Sequence, residues 1–160
     1  MLRRWVTLIP VAVLFVGTAC SSSSAVSTTA PTAGATTTSA PAAAGTDVAV
    51  SLAQWSVQPA TTTIPAGKVN FTVTNIGTKT HEFVVYKTDT LAGDVPITSF
   101  EGVKARINED TNGTNVGETG DLKPGSTKTL SVDLTAGHYV FFCNLPKHYG
   151  LGMRIDVTVQ

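Results

Sequence analysis

Between Ser21 and Gly45 the chain is almost entirely Ser, Thr, Ala, Pro and Gly, carries no charge, and has no large side chain except Val26. Such a stretch cannot bury enough apolar surface to offset the entropy of ordering it, so a disordered tether is expected over 20–46. Whatever core the 160 residues build must then come from 47–160, which is the length of one domain. At about 5 to 6 Å times the square root of its length, the tether would hold that domain on the order of 25 to 30 Å from an anchor.

An anchor is suggested by what precedes it. Met1-Leu2-Arg3-Arg4 is a short basic start, and Trp5 to Ala19 is an almost unbroken apolar run ending in Gly17-Thr18-Ala19 before Cys20. A membrane-spanning helix needs roughly 20 apolar residues. This run is shorter, contains Pro10 and has no charged stop after it, so residues 1–19 read as a signal peptide. Val16-Gly17-Thr18-Ala19-Cys20 resembles a bacterial lipobox, with Cys20 as the lipidated residue, although Gly17 stands where a large aliphatic residue is usual. Cleavage at an A-x-A-like site is the alternative. The expected location is extracytoplasmic, tethered to the cell membrane through lipid on Cys20, with a soluble periplasmic or secreted form as the alternative.

From Asp47 onward the texture changes to short runs rich in Val, Thr, Phe and Tyr, separated by Gly, Pro and Asn, as in an all-β, antiparallel sandwich. Val48, Val50 and Leu52 alternate with polar or small neighbours, as do Val69, Phe71 and Val73 before Asn75-Ile76-Gly77. Leu130, Val132 and Leu134 follow a Lys123-Pro124-Gly125-Ser126 turn, and Ile155, Val157 and Val159 close the chain with the same period. His81 to Lys87 and His138 to Cys143 are continuously apolar, as expected of strands covered on both sides. Over about 89–121, Gly, Asn, Asp and Glu dominate, and Ile97, Phe100, Val103 and Ile107 are spaced as in a short helix or an irregular lobe. An insertion is expected there, with Glu101, Glu109, Asp110, Glu118 and Asp121 solvated.

The cysteines carry the functional argument. There are two, and if Cys20 is lipidated or removed, Cys143 is a lone thiol in an oxidising compartment. A metal would explain it. From Cys143 the chain reads Cys143-Asn144-Leu145-Pro146-Lys147-His148-Tyr149-Gly150-Leu151-Gly152-Met153, so a thiolate, an imidazole and a thioether follow at intervals of five residues. Pro146 would turn His148 back beside Cys143, and Gly150 and Gly152 would let Met153 reach the same centre. A soft thiolate with imidazoles and a long axial thioether suits copper. A fourth donor must come from elsewhere, and His81, opening its own strand, is the candidate.

This pattern resembles the cupredoxin family, the small blue-copper proteins built as Greek-key β-sandwiches. Asn75 to Tyr86 matches the part of the family pattern that holds the first His, and Tyr139 to Met153 matches its Cys-His-Met loop. The four-residue gaps within that loop are similar to those of rusticyanin and auracyanin. The resemblance implies one type 1 copper ion, with His81, Cys143 and His148 as equatorial ligands and Met153 as the axial one. It also implies that Glu82 and Asn144, each following a ligand, tie the two ligand loops together by hydrogen bonds. A binuclear copper centre would need Cys where Lys147 stands, and a relay to a catalytic copper would need His beside Cys143 instead of Phe142 or Asn144.

The expected function is therefore single-electron transfer at the cell envelope without enzymatic activity, by a monomer whose redox protein partners dock near His148, among Leu145, Pro146, Tyr149 and Leu151. Copper storage, delivery or sensing is the alternative. His138 is read as a strand-edge residue without metal. A thiol hydrolase would need an oxyanion donor and an activated Cys that nothing in the sequence supplies. Lys and Arg together balance Asp and Glu, 11 against 11, with two of the arginines in the signal peptide, so no basic patch supports a nucleic-acid partner.

Overall fold

The computed structural model describes residues 45–100 and 103–160. The expected signal peptide, nearly all of the expected tether and Cys20, the expected site of lipidation, lie outside the described residues. Among the described residues eleven strands follow in chain order: β1 (Thr46–Ala53), β2 (Ser56–Pro59), β3 (Thr63–Ile64), β4 (Gly67–Asn75), β5 (Val84–Lys87), β6 (Ile97–Phe100), β7 (Val103–Ile107), β8 (Thr114–Glu118), β9 (Thr127–Leu134), β10 (Gly137–Phe142) and β11 (Arg154–Val159). Thr46, expected to close the tether, opens β1 instead.

The strands form a four-stranded sheet of order β2-β1-β4-β9 and a five-stranded sheet of order β3-β11-β10-β5-β8, with β6 and β7 as a separate hairpin. The all-β sandwich is as expected, but it is mixed rather than purely antiparallel. β1 runs parallel to β4, and β11 runs parallel to β3. The reason is that the chain crosses from one sheet to the other between β2 and β3, so β4 returns beside β1 without a hairpin.

Period-two alternation does what it should. Val48, Val50 and Leu52 of β1, and Val69, Phe71 and Val73 of β4, are buried against Val85, Tyr139, Phe141, Val157 and Val159 of the facing sheet. Phe71, Phe83 and Phe141 meet at centroid distances of 5.2–5.3 Å in tilted and edge-on pairs, each worth about 0.5–1.5 kcal/mol beyond its buried area. Lys123 to Ser126 forms the expected turn, closed by Ser126 N–H donating to Lys123 O at 3.0 Å, with Gly125 at φ +76° in the position where a type II turn requires glycine.

The 89–121 stretch is not the helical or irregular insertion the residue spacing suggests. It supplies the β6–β7 hairpin and β8, and β8 is an integral edge of the five-stranded sheet. Ala92, Val95 and Ile107 bury a second apolar cluster with Val84, Tyr86, Val140, Phe142 and Tyr149. This outer cover explains why β5 and β10 read as continuously apolar: alternate residues face two different cores. Glu109 is also not simply solvated, since it accepts hydrogen bonds from the side chains of Asn144, at 2.7 Å, and Asn115.

Candidate metal centre

His81 does not open a strand as the sequence suggests. It precedes β5 in an isolated bridge with Leu122, its N–H donating to Leu122 O at 3.1 Å and its carbonyl accepting from Leu122 N–H at 2.7 Å. Cys143 follows β10 directly, and its N–H donates to Met153 O at 3.0 Å, extending the β10–β11 ladder across the ends of the loop. Within that loop His148 N–H donates to Leu145 O, and Met153 N–H returns to His148 O at 3.1 Å. The left-handed positions are Lys147 (φ +73°) and Gly152 (φ +116°), so Lys147 takes the role expected of Gly150.

The four residues chosen from sequence thus come to one end of the sandwich. His81 Nδ1 lies 3.2 Å from His148 Nδ1, which lies 3.2 Å from Cys143 Sγ. One donor atom from each of His81, Cys143 and His148 falls within 4.8 Å of the others. Met153 is buried with Cys143 in the main core, while His148 is only half-buried.

The electrostatics fit a metal. Burial pushes the His81 imidazole down to about 4, with His148 adding repulsion, and burial also lowers His148. Burial pushes the Cys143 thiol up to about 11, against the opposing effect of backbone N–H groups of Glu82 and Leu145. Two imidazoles that resist protonation and a thiol that resists ionisation are all kept neutral by burial, and a cation placed among their donor atoms would favour the free imidazoles and the thiolate. His81 Nε2 is buried with no hydrogen-bond partner, so its ring is held by packing.

Glu82 and Asn144 do connect the loops, largely through the backbone. Glu82 N–H donates to Cys143 Sγ at 3.3 Å, and the Asn144 N–H favours the Glu82 carboxylate. The Asn144 side chain faces the other way, accepting from Ile107 N–H at 2.8 Å and donating to Ile107 O at 3.1 Å. Tyr149 reaches the same outer layer, its hydroxyl donating to Ala92 O at 2.6 Å. It is buried and lines no docking surface; Pro146 and Leu151 remain exposed. His138, near the start of the inner strand β10, points elsewhere, its ring nitrogens 2.6 Å from Thr88 O and 2.9 Å from Asp156 Oδ1.

Two supporting residues escape a reading of the sequence. Asn75 is fully buried: its side chain donates to Lys79 O and Leu122 O, both at 2.8 Å, and accepts from Gly77 N–H at 2.9 Å, shaping the loop that delivers His81. Trp55, at the tip of the β1–β2 hairpin, lies edge-on to His148 with centroids 4.9 Å apart and to His81 at 6.3 Å. A large aromatic falling just beyond an alternating strand was the only hint.

A family model described as a cupredoxin-like domain matches residues 10–153. The chain belongs to the cupredoxin family. Among solved structures, this cupredoxin resembles auracyanin from the photosynthetic bacterium Roseiflexus castenholzii, at 23% identity over 73% of this chain and 98% of that one, with a TM-score of 0.51. It likewise resembles auracyanin B, at 18% identity over 72% and 88% of the two chains, also with a TM-score of 0.51. At these identities the likeness is one of fold. No curated protein sequence matches the chain. Cupredoxins hold one type 1 copper, and the donors gathered here are the kinds that such a copper requires.

Proposed function

We propose that this cupredoxin binds one copper through His81, Cys143 and His148, with Met153 as a weaker axial donor, and carries single electrons at the cell envelope. The observation that carries the reading is the meeting of two imidazole Nδ1 atoms and a thiol sulfur, at 3.2 Å steps, from loops far apart in sequence. Bound there, copper supplies a one-electron couple whose potential responds to the axial donor and to the burial of the sulfur.

The chain contributes a frame that resists rearrangement. His81 is fixed by its bridge to Leu122, Cys143 by the ladder to Met153 and by Glu82 N–H, and His148 by the turns of its own loop. Holding all ligands in one arrangement leaves little to reorganise between oxidation states. His148, the half-buried member, is the natural edge for a redox partner, flanked by exposed Pro146 and Leu151. Envelope location, through lipid on Cys20, rests on the first twenty residues of the sequence.

Adding Cu(II) to the purified 46–160 domain should produce an intense visible band from the thiolate, and Cys143→Ser should abolish it. A colourless wild-type protein would defeat the copper reading. A reversible potential with fast self-exchange supports the carrier; ready loss of the ion to a mild chelator would favour storage or delivery instead.

A further inference from the structure

The β1–β2 hairpin tip, Gln54 and Trp55, contacts both ligand loops. Gln54 makes a two-point contact with Thr78, three residues before His81: its Nε2 donates to Thr78 Oγ1 at 2.6 Å, and its Oε1 accepts from Thr78 N–H at 3.0 Å. The hairpin is joined to the same loop where Ile76 N–H donates to Leu52 O at 2.9 Å. Trp55 turns the other way. Its indole is edge-on to His148, with planes at 66°, and to His81, with planes at 87°.

Two glycines record how close this approach is. At Gly77 a Cβ would collide with Gln54 Oε1 and sit 3.1 Å from His81 Nε2. At Gly152, next to Met153, a Cβ would lie 3.2 Å from Trp55 O. Each ligand loop is therefore bare of side chain where the hairpin tip crosses it. Trp55 is 37% exposed, so its indole lies between solvent and the two imidazoles that it meets edge-on.

We infer that Gln54 and Trp55 are positioning residues for the copper centre: Gln54 holds the loop that presents His81, and the Trp55 indole clamps the His81 and His148 imidazoles and keeps water from their edges. The inference rests on these histidines being ligands. Unliganded sides of metal-bound imidazoles are normally oriented by groups around them. Here no hydrogen bond holds His81 Nε2, so edge-on aromatic packing takes that task.

The test uses copper-loaded wild type, Trp55→Ala, Trp55→Phe, Gln54→Ala and, as a remote control on the β6–β7 hairpin, Ile97→Ala. Trp55→Ala should weaken copper affinity by about 10- to 100-fold, the usual effect of removing an orienting neighbour. It should also alter the copper hyperfine splitting and slow electron self-exchange, while Trp55→Phe restores most of all three. Gln54→Ala should move affinity in the same direction, and Ile97→Ala should move nothing. Trp55→Ala with wild-type affinity, spectrum and self-exchange would overturn the inference. So would a loss of affinity matched by an equal loss of metal-free thermal stability and not rescued by Phe. A colourless wild type would instead overturn the copper reading on which the inference depends, and the two failures are told apart by the wild type alone.

Discussion

The backbone N–H of Glu82 donates to the sulfur of Cys143 across 3.3 Å, joining two loops 61 residues apart in the chain. The bond is returned, because the Asn144 N–H favours the Glu82 carboxylate. Each partner sits next to a ligand, so movement of either ligand loop strains the other. An N–H aimed at sulfur also favours thiolate over thiol, partly offsetting the burial that opposes it.

Glu82 itself titrates in an unusual range. Burial raises its carboxyl to about 7, with Glu109 and Glu118 adding repulsion against the opposing Asn144 N–H and Arg106. Between the ordinary value of 4.5 and about 7, the folded metal-free chain holds a proton that the unfolded chain has lost. Glu82 therefore contributes stability below that window that disappears as pH rises through it. His81 and His148 act in the opposite direction, so the difference between wild type and Glu82→Gln isolates the carboxyl. Urea unfolding should show Gln gaining on Glu by about 2 kcal/mol between pH 4.5 and 7.5 after allowance for solvent screening. A difference that does not change with pH would contradict it.

Copper uptake should release a proton. The Cys143 thiol, at about 11, is protonated at neutral pH in the metal-free chain, while His81, at about 4, is already free to bind. Apparent affinity should then rise about tenfold per pH unit from near neutrality towards 10. Chelator competition across that range measures the slope; a flat profile would show that the thiol is already ionised before the metal arrives.

Met153→Leu separates packing from ligation. Met153 is fully buried in the main core, and a swap that conserves volume costs less than about 1.5 kcal/mol, so the metal-free protein should melt nearly as wild type does. Removing an electron-donating thioether disfavours the oxidised ion, so the potential should rise while the visible band persists. Voltammetry decides it: an unchanged potential would remove Met153 from the ligand set.

Asn75→Ala should be costly although Asn75 is not itself among the proposed ligands. It strands Lys79 O and Gly77 N–H around a buried gap, at about 1–3 kcal/mol for each group left unsatisfied, and leaves Leu122 O with the His81 N–H alone. A loss of at least about 2 kcal/mol in denaturant unfolding is expected, together with slower copper uptake as the loop before His81 loosens. Wild-type stability in the variant would mean that the loop holds its shape without Asn75.

What the sequence determined by itself was local. The donors Cys143, His148 and Met153 lie within eleven residues, so spacing alone brought them together, and strict alternation in β1, β4 and β11 announced which side chains face the core. The continuously apolar β5 and β10 likewise announced cover on both faces, though not what supplies it. Only the tertiary structure decided that 89–121 furnishes that cover and a sheet strand, because Ile107 and Glu109 within it find their hydrogen-bond partner in Asn144, far along the chain. The same holds for Asn75, Gln54 and Trp55. Their roles consist of hydrogen bonds and ring contacts across loops, and such contacts leave no periodicity in the chain that makes them.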